Sequence, residues 1–219
     1  MLGERGPRRP AVVGVRGPSG AAVTEPARRG DRGETSCAQD GGMLMTSTSP
    51  PESVADGFRD AMAGLASGVC VVTTSVDGVP AGLTTTAVMS VSLAPPLVAV
   101  GVGRASRTLE PLRTARRFAV HVLPHDRADV ASVFASKAVD KFAGLAVRPG
   151  EGGVPLLADA ARHVVECETW AEVEAGDHVL LVGRVVRVHG AAAPDGRALV
   201  HFDRAFHEVG APRAPGRQG

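Results

Sequence analysis

The chain has 219 residues, which is enough for one domain of ordinary size with a single hydrophobic core but too few for two full domains. Its 24 Lys and Arg residues balance 23 Asp and Glu residues, so no global charge directs the chain to nucleic acid or to an anionic membrane surface. Three widely spaced cysteines exclude the CxxC zinc and redox motifs and indicate a reducing, cytoplasmic setting, and no apolar run approaches the ~20 residues that span a bilayer.

Residues 1–50 are rich in Gly, Pro, Arg and Ser and show neither helical nor strand periodicity, so we predict a disordered N-terminal tail. The alternative, a secretory signal peptide, is disfavoured because the apolar stretch AVVGVRG is short, rich in glycine and interrupted by Arg16. Order is expected to begin close to Met43 and Met45. The translation start is therefore Met1, Met43 or Met45.

The predicted domain covers residues 53–210, and a short disordered tail over residues 211–219 follows it. The domain opens with an amphipathic helix that has Ser53 as its N-cap and Gly68 as its stop. The apolar stripe of this helix consists of Val54, Phe58, Met62 and Leu65. The segments VCVVTT and AGLTTTAVMSVSL flank an Asp-Gly turn signal and predict a β-hairpin, and LVAVGVG forms a third strand after a diproline.

The remaining segments predict two further helices and four further strands. Helical spacing returns in SRTLEPLRTA, where Pro111 must lie near the helix start, and in HDRADVASVFAS, which opens with His125 and Asp126. KAVDKFAGL predicts one more short helical turn. The predicted strands are RFAVHVL, HVVECETWAEVEAG, DHVLLVGRVVRVHG and ALVHFDRAFHEV. Six or seven antiparallel strands without βαβ alternation favour a mainly β fold with a closed or partly closed barrel over a Rossmann fold.

The stretch GLTTTAVMSVSLAPPL places hydroxyl groups in what otherwise reads as a buried strand. If the strand is continuous and no bulge intervenes, Thr85 lies on one face and the other face carries Thr84, Thr86, Ser90 and Ser92. Residues 79–102 contain no charged side chain. The hydroxyls are therefore expected either to hydrogen-bond to one another in the interior or to contact a polar ligand.

Several segments follow one another in a specific order: GVCVVTTSVDGVPAGLTTTAVMSVSLAPPLVAVGVGRASRTLEPL, RFAVHVL, VFAS, DKFAG and AGDHVLLVGRV. From about Phe58 to Val209 this series resembles the flavin reductase-like family, the small reductase components of two-component flavin monooxygenases. The resemblance implies an antiparallel split β-barrel, the FMN-binding split barrel, with a few short flanking helices. It also implies an NAD(P)H:flavin oxidoreductase that transfers hydride from NADH or NADPH to FMN, or to FAD, and passes reduced flavin to a partner monooxygenase. Members of this family are generally homodimers with flavin near the subunit interface.

The resemblance also implies which residues bind the flavin. Those beside the isoalloxazine and ribityl chain are Thr84, Thr85, Thr86, Ala87, Val88 and Ser90. Those at the phosphate are Ser106, Arg107 and Thr108, and those in the segment that closes over the cofactor are Phe134, Ala135 and Lys141. Thr86, Ala87 and Val88 depart from the family's usual Asn, Ser and Phe, so backbone N–H groups are expected to contribute more. The only two lysines of the chain, Lys137 and Lys141, lie within one short segment, which agrees with an anion site there.

The tripeptide Gly176, Asp177 and His178 matches the family segment that helps to receive the nicotinamide nucleotide. From the residues alone, Gly176 permits a turn, Asp177 can cap it and His178 presents an imidazole at the start of a strand. No catalytic acid or base is expected, because hydride transfer is the cofactors' own chemistry. No metal site is expected, because the histidines in the predicted strands stand at no ligand spacing. Cys70 and Cys167 are interpreted as small buried hydrophobes, and Trp170 as a core residue.

Two other functions stay open at this stage. The chain could bind flavin without catalysis, as a sensor or a store, and would then oxidise neither NADH nor NADPH. It could also be an oxidoreductase that retains FMN and acts directly on a bound small molecule. The sequence does not separate these two functions from flavin reduction.

Overall fold

The computed structural model describes residues 53–157, 159–190 and 197–210. The tails predicted over residues 1–50 and 211–219 lie outside these residues, as do Cys37 and the candidate translation starts. No helix in the described ranges has the length and apolar character required to cross a bilayer.

Three α-helices and twelve strands make up the described part of the chain. The helices are α1 (Val54–Ala63), α2 (Leu109–Ala115) and α3 (Ala128–Ala135), and a 3-10 turn covers Glu151–Gly153. The strands are β1 (Ser67–Gly68), β2 (Cys70–Val76), β3 (Val79–Thr85), β4 (Val88–Leu93), β5 (Pro96–Gly103), β6 (Arg117–Val122), β7 (Arg148–Pro149), β8 (Pro155–Leu156), β9 (His163–Ala175), β10 (His178–Gly190), β11 (Ala198–Phe202) and β12 (Ala205–Val209).

Seven of these strands form one antiparallel sheet in the order β3-β2-β6-β9-β10-β5-β4. The sheet curls until the end of β3 meets β5. The Thr85 hydroxyl donates to the Gly101 carbonyl at 3.3 Å, and the Gly101 N–H donates to the Ala87 carbonyl at 2.7 Å. Gly101 permits this approach because a Cβ at that position would lie 2.8 Å from the Ala87 Cβ. The mainly β, antiparallel split barrel predicted from the sequence is confirmed.

The barrel core and the layer beneath α3 are two separate apolar clusters. Buried residues of the barrel interior include Val72, Val100, Val102, Phe118, Val120 and Leu181. Buried residues beneath α3 include Val71, Leu123, Val130, Phe134 and Leu157. Cys70 and Cys167 are free thiols in the barrel cluster, and burial raises their pKa values to about 11 and about 12. The interpretation of both as small buried hydrophobes is confirmed.

Glycines set two features of the sheet that the sequence predicts. Asp77 and Gly78 both adopt positive φ, 50° and 79°, and form the two-residue turn between β2 and β3. At Gly183 the register of β10 against β9 shifts, and a Cβ there would lie 2.5 Å from the Phe118 ring. β10 therefore bends tightly over Phe118, as expected for a long strand in a closed sheet.

His121 on β6 is fully buried and links three parts of the fold. Its Nε2 accepts a hydrogen bond from the Leu157 N–H at 3.0 Å, so the neutral ring carries its hydrogen on Nδ1, which donates to the Val71 carbonyl at 3.1 Å. Burial lowers the pKa of His121 from 6.5 to about 4. The residue is a neutral structural histidine.

Two predicted strands are not continuous. AGLTTTAVMSVSL splits into β3, which ends at Thr85, and β4, which begins at Val88, because Thr85 and Ala87 both engage Gly101 and turn the chain. The predicted row of hydroxyls on one strand face is therefore wrong. ALVHFDRAFHEV is also not one strand: Asp203 and Arg204 adopt positive φ and form the turn of the β11–β12 hairpin.

Three further predictions are wrong. KAVDKFAGL is not helical, since the Asp140 carboxylate accepts the N–H groups of Phe142 and Ala143 at 3.0 Å and forms a turn instead. The first helix keeps Ser53 as its N-cap but ends at Gly64 instead of Gly68. Trp170 is 39% exposed and is not a core residue.

Candidate functional site

A cleft of about 560 Å³ lies between β3, the loop that follows β5 and the C-terminal end of α3. It is lined by Leu83, Thr84, Ala105, Ser106, Arg107, Thr108, Phe134, Ala135, Ser136, Lys137 and Lys141. Seven of the twelve residues expected at the flavin are among them: Thr84, Ser106, Arg107, Thr108, Phe134, Ala135 and Lys141. We call this cavity the phosphate cleft.

The loop after β5 is pinned on both sides of the phosphate cleft. The Thr108 hydroxyl donates to the Gly82 carbonyl on β3 at 3.1 Å, and the Ser106 hydroxyl accepts the Thr108 N–H at 3.3 Å. On the other side, the Arg107 guanidinium donates to the Lys137 carbonyl at 2.8 Å. These hydrogen bonds fix the loop to β3 and to the segment that follows α3.

Lys141 clamps the two walls of the phosphate cleft together. Its ammonium donates to the Gly82 carbonyl at 3.2 Å and to the Phe134 carbonyl at 2.7 Å, which joins β3 to the end of α3. An ammonium has three hydrogens, so one is left for a ligand. Partial burial and the neighbouring Arg107 guanidinium lower the pKa of Lys141 below its ordinary value of 10.5.

The phosphate cleft brings three cationic side chains together. Within the described residues, Arg107, Lys137 and Lys141 form no ion pair, whereas Arg104, Arg113, Arg117, Arg148 and Arg184 all pair with Glu or Asp. The other polar groups of the lining are Ser and Thr hydroxyls. Cations with hydroxyl donors are the groups that bind a phosphate, so the residues present fit a flavin phosphate.

The remaining flavin candidates lie on the connection from β3 to β4 and on β4 itself. Thr84 is the one that lines the phosphate cleft, and its hydroxyl donates to the Ala131 carbonyl of α3 at 2.7 Å. Thr86, Ala87 and Ser90 are exposed beyond the cleft, while Val88 packs against the barrel cluster. The hydroxyls of Thr84 and Thr85 therefore hold β3 to its neighbours, and the structure does not bring this whole group into one cavity.

The tripeptide at 176–178 forms a turn that touches the start of the loop after β5. Gly176 has φ of 63°, its carbonyl accepts from the Arg104 side chain at 2.8 Å, and the Asp177 carbonyl accepts the Arg104 N–H at 2.9 Å. His178 is half exposed and pairs with Gly103 across the strands. The turn and the phosphate cleft thus share one end of the barrel.

The ring orientation of His178 is set by its neighbour Asp177. Nδ1 of His178 donates to the Asp177 carboxylate at 2.8 Å, and this hydrogen bond lowers the pKa of Asp177. The other ring nitrogen, Nε2, faces Gly103, at 3.7 Å from the point where a Cβ would lie. In the neutral ring Nε2 is an acceptor, because the hydrogen is on Nδ1.

Sequence reasoning missed four lining residues of the phosphate cleft, which are Leu83, Ala105, Ser136 and Lys137. It also missed Gly82, whose carbonyl accepts hydrogen bonds from Thr108 and Lys141. A Cβ at Gly82 would lie 2.6 Å from the Phe134 ring, so only glycine lets α3 pack this closely on β3. The signal was a glycine inside a strand, which marks a close approach. Lys137 also carries a sequence signal, because it is one of only two lysines in the chain, and Ser136 follows directly after α3.

The phosphate cleft is built for binding and positioning. Its lining contains no Asp, Glu, His or Cys side chain. The described residues hold no cluster of three or more His, Cys, Asp or Glu side chains placed to bind a metal ion. What the cleft offers a ligand is positive charge and hydroxyl groups at fixed positions.

Known proteins match this chain in sequence and in structure. A probable flavin reductase of Rhizobium meliloti (strain 1021) is 43% identical over 58% of this chain, and the match spans only 41% of that relative's length. The reductase component of the 4-nitrophenol 4-monooxygenase/4-nitrocatechol 2-monooxygenase of Rhodococcus opacus is 37% identical over 68% of this chain and 78% of that protein.

A solved structure agrees with these relatives. The Streptomyces globisporus C-1027 NADH:FAD oxidoreductase, in complex with NAD and FAD fragments, is 30% identical, with a TM-score of 0.66 over 77% of this chain and 98% of that chain. Residues 62–210 match the flavin reductase like domain family. The chain therefore belongs to the flavin reductase-like family.

Proposed function

We propose that this chain is an NAD(P)H-dependent flavin reductase that transfers hydride from NADH or NADPH to FMN or FAD and supplies the reduced flavin to a partner monooxygenase. The observation that carries the proposal is the phosphate cleft, where Arg107, Lys137 and Lys141 lack carboxylate partners within the described residues. The names of its relatives, flavin reductases and monooxygenase reductase components, support the reaction.

The flavin phosphate binds in the phosphate cleft. Ser106, Arg107 and Thr108 form one wall, and Phe134, Ala135 and Lys141 form the other. Charge-assisted hydrogen bonds contribute about 1.5–3 kcal/mol each, so a few of them can supply micromolar affinity. The flavin ring then lies along Thr84, Thr85, Thr86, Ala87, Val88 and Ser90, on the connection from β3 to β4.

The nicotinamide nucleotide binds beside the turn of Gly176, Asp177 and His178. Because Asp177 fixes the ring of His178, Nε2 is presented as an acceptor at the end of the barrel that also holds the phosphate cleft. A carboxamide N–H is a donor that suits this atom. His178 positions the nucleotide and takes no part in proton transfer.

The protein acts in this reaction by alignment. Bound flavin and reduced nicotinamide supply the hydride chemistry. The fixed loop at 104–108 ties the two sites together through Arg104, which contacts the turn at 176–178 by its side chain and its backbone. Holding two reactants in near-contact lowers the barrier by removing the entropy cost of their encounter.

The direct test is to follow NADH and NADPH oxidation by absorbance with FMN, FAD and riboflavin in turn. The Arg107→Ala variant should weaken FMN by about tenfold or more and riboflavin by less than about threefold, because riboflavin has no phosphate. Arg148→Ala, which removes an exposed arginine paired with Asp159, is the matched control. A chain that binds FMN but oxidises neither nucleotide would be a flavin-binding protein and not a reductase.

The proposed assembly is a homodimer that covers β4. Met89, Val91 and Leu93 are 57%, 48% and 88% exposed on this strand, next to the flavin residues Thr86 and Ser90. Burying large apolar side chains of this kind contributes about 1.5–3 kcal/mol each. A dimer through β4 would place the flavin ring near the subunit interface.

Light scattering tests the dimer. Leu93→Asp should shift the mass from dimer to monomer and weaken FMN together with it, since the charge would be buried in the interface. Val147→Asp, at another exposed valine, should leave both unchanged. A Leu93→Asp protein that remains a dimer would place the interface elsewhere.

The partner is a flavin-dependent monooxygenase, because the Rhodococcus opacus relative is the reductase component of a monooxygenase. We place the protein in the cytoplasm. Two buried free thiols, Cys70 and Cys167, support a reducing compartment.

A further inference from the structure

β5 connects the residues proposed for the flavin ring to the turn that precedes β10. Gly101 on this strand contacts Thr85 and Ala87. Two residues later, Gly103 pairs with His178. Two residues of a strand cover about 7 Å, at the usual rise of about 3.3 Å per residue. A nicotinamide ring that lies between the flavin ring and His178 is therefore close to the end of β5.

Arg104 follows β5 directly and holds the turn that precedes β10. Its backbone N–H donates to the Asp177 carbonyl at 2.9 Å, and its Nε donates to the Gly176 carbonyl at 2.8 Å. Its guanidinium also forms an ion pair with Glu174, near the end of β9. A guanidinium has five N–H groups, so these contacts leave donors for a ligand.

A second arginine beside this turn is less accessible. Arg113 of α2 contacts Glu174 at 3.2 Å and also pairs with Glu172 and Glu110, and its side chain is 31% exposed. The Arg104 side chain is 52% exposed, and Glu174 is its one carboxylate partner within the described ranges. Of the two arginines, Arg104 is therefore the one that can accept an anionic ligand.

The nicotinamide nucleotide carries an anion that suits this guanidinium. One ribose separates the nicotinamide ring from a diphosphate, and arginine binds phosphate oxygens through pairs of N–H groups. Glu174, half exposed, contacts the same guanidinium. The carboxylate and a diphosphate would thus compete for Arg104.

We propose that Arg104 binds the diphosphate of the reduced nicotinamide nucleotide, and that Glu174 weakens this contact by competing for the same guanidinium. The inference rests on the proposed function, because it takes the turn at 176–178 as the nucleotide site. The loop at 104–108 then carries one arginine for each ligand, Arg104 for the nucleotide and Arg107 for the flavin. Arg104 is a binding residue, and Glu174 sets how tightly it binds.

Steady-state kinetics of the full chain at saturating FMN test the inference with two hydride donors. NADH carries the diphosphate, whereas N-benzyl-dihydronicotinamide has the same reacting ring and no phosphate. Arg104→Ala should raise the KM for NADH by about tenfold or more and change kcat/KM for the benzyl donor by less than about threefold. Arg148→Ala, which removes an exposed arginine paired with Asp159, is the matched control and should change neither.

Glu174→Gln gives a second test that misfolding cannot imitate. The neutral amide competes less for the guanidinium, so the KM for NADH should fall by about threefold and the kinetics of the benzyl donor should stay unchanged. If Arg104 served only to hold the turn, the loss of its carboxylate partner would raise the KM for both donors, and the inference would be overturned.

The other outcomes separate this inference from the proposed function. An unchanged KM for NADH in Arg104→Ala overturns the inference and leaves the reductase proposal intact. An equal loss with both donors in Arg104→Ala also overturns it, because the residue would then act on the shape of the turn. An unchanged KM in Glu174→Gln overturns the role of Glu174. If the unchanged chain oxidises neither donor, the proposed function itself fails.

Discussion

The two lysines of the phosphate cleft do different work. Lys141 donates to the carbonyls of Gly82 and Phe134 and holds the walls together, and its pKa is lowered by partial burial and Arg107. Lys137 is exposed and contributes its carbonyl, not its ammonium, to the contact with Arg107. The ammonium of Lys137 is therefore available to a ligand without a structural role.

This difference predicts that replacing Lys137 changes only the affinity for FMN, whereas replacing Lys141 changes both the affinity and the stability. Lys137→Ala should weaken FMN by about tenfold and leave the melting temperature unchanged, because only a charge-assisted contact is lost. Lys141→Ala should weaken FMN and also lower the melting temperature, since two carbonyls lose their donor. Thermal melts without ligand and FMN titrations decide. Equal melting losses in both variants would contradict these roles.

The buried ring of His121 predicts acid sensitivity. The pKa of His121 is about 4 in the folded chain, below its ordinary value of 6.5. Between these two pH values the unfolded chain binds a proton that the folded chain does not bind. The contribution of neutral His121 to the free energy of unfolding is fully present above pH 6.5. It falls by on the order of 3 kcal/mol as the pH drops toward 4. Urea unfolding at several pH values would measure this slope, and His121→Gln should reduce it. An unchanged slope in the variant would assign the acid sensitivity to other groups.

Among the secondary-structure elements, sequence patterns predicted the features that depend on contacts between residues close together in the chain. The Asp77-Gly78 turn, the long strands β9 and β10 and the N-cap Ser53 follow from neighbouring residues. The break between β3 and β4 could not be predicted, because Gly101 on a different strand makes it. The helical spacing of KAVDKFAGL was overridden by the Asp140 side chain.

The candidate site also has parts that the sequence predicted and parts that it did not. The resemblance pointed to the residues of the phosphate cleft, which the loop after β5 and the end of α3 bring together. The cleft of about 410 Å³ between β3 and residues 138–142 could not be predicted, because it depends on the non-helical path of these residues past β3. The sequence suggested that the threonine hydroxyls contact one another or a ligand, but the Thr84 hydroxyl donates to a backbone carbonyl.

The close packing of α3 on β3 predicts that adding one methyl group at Gly82 destabilises the protein. A Cβ at Gly82 would lie 2.6 Å from the Phe134 ring and 3.0 Å from the Val72 carbonyl oxygen. Gly82→Ala should therefore destabilise the protein by about 1–3 kcal/mol and weaken FMN, because α3 must move away from the phosphate cleft. Gly68→Ala, with no atom within 4 Å of the added methyl, is the control for urea unfolding. Wild-type stability in Gly82→Ala would show that Phe134 can rotate away freely.

For the whole molecule, the composition of the first residues makes a simple prediction. A chain that begins at Met43 should bind FMN and oxidise NADH like the full chain, because the removed residues carry too little apolar sequence to build a folded unit. Side-by-side titrations and initial rates check this. A large fall in either quantity would show that residues 1–42 belong to the working enzyme.

The placement of both lysines in the phosphate cleft also decides how the protein responds to amine chemistry. The amines that an acylating reagent can modify are the N-terminal amine and the side chains of Lys137 and Lys141. Because both lysines line the phosphate cleft, a reagent that reacts with every lysine labels this one site. Exposed Lys137 should react first, and bound flavin phosphate should shield it, which peptide mass spectrometry can follow. Attachment to an amine-coupling surface would tether the enzyme by its own ligand cleft or by its N-terminus.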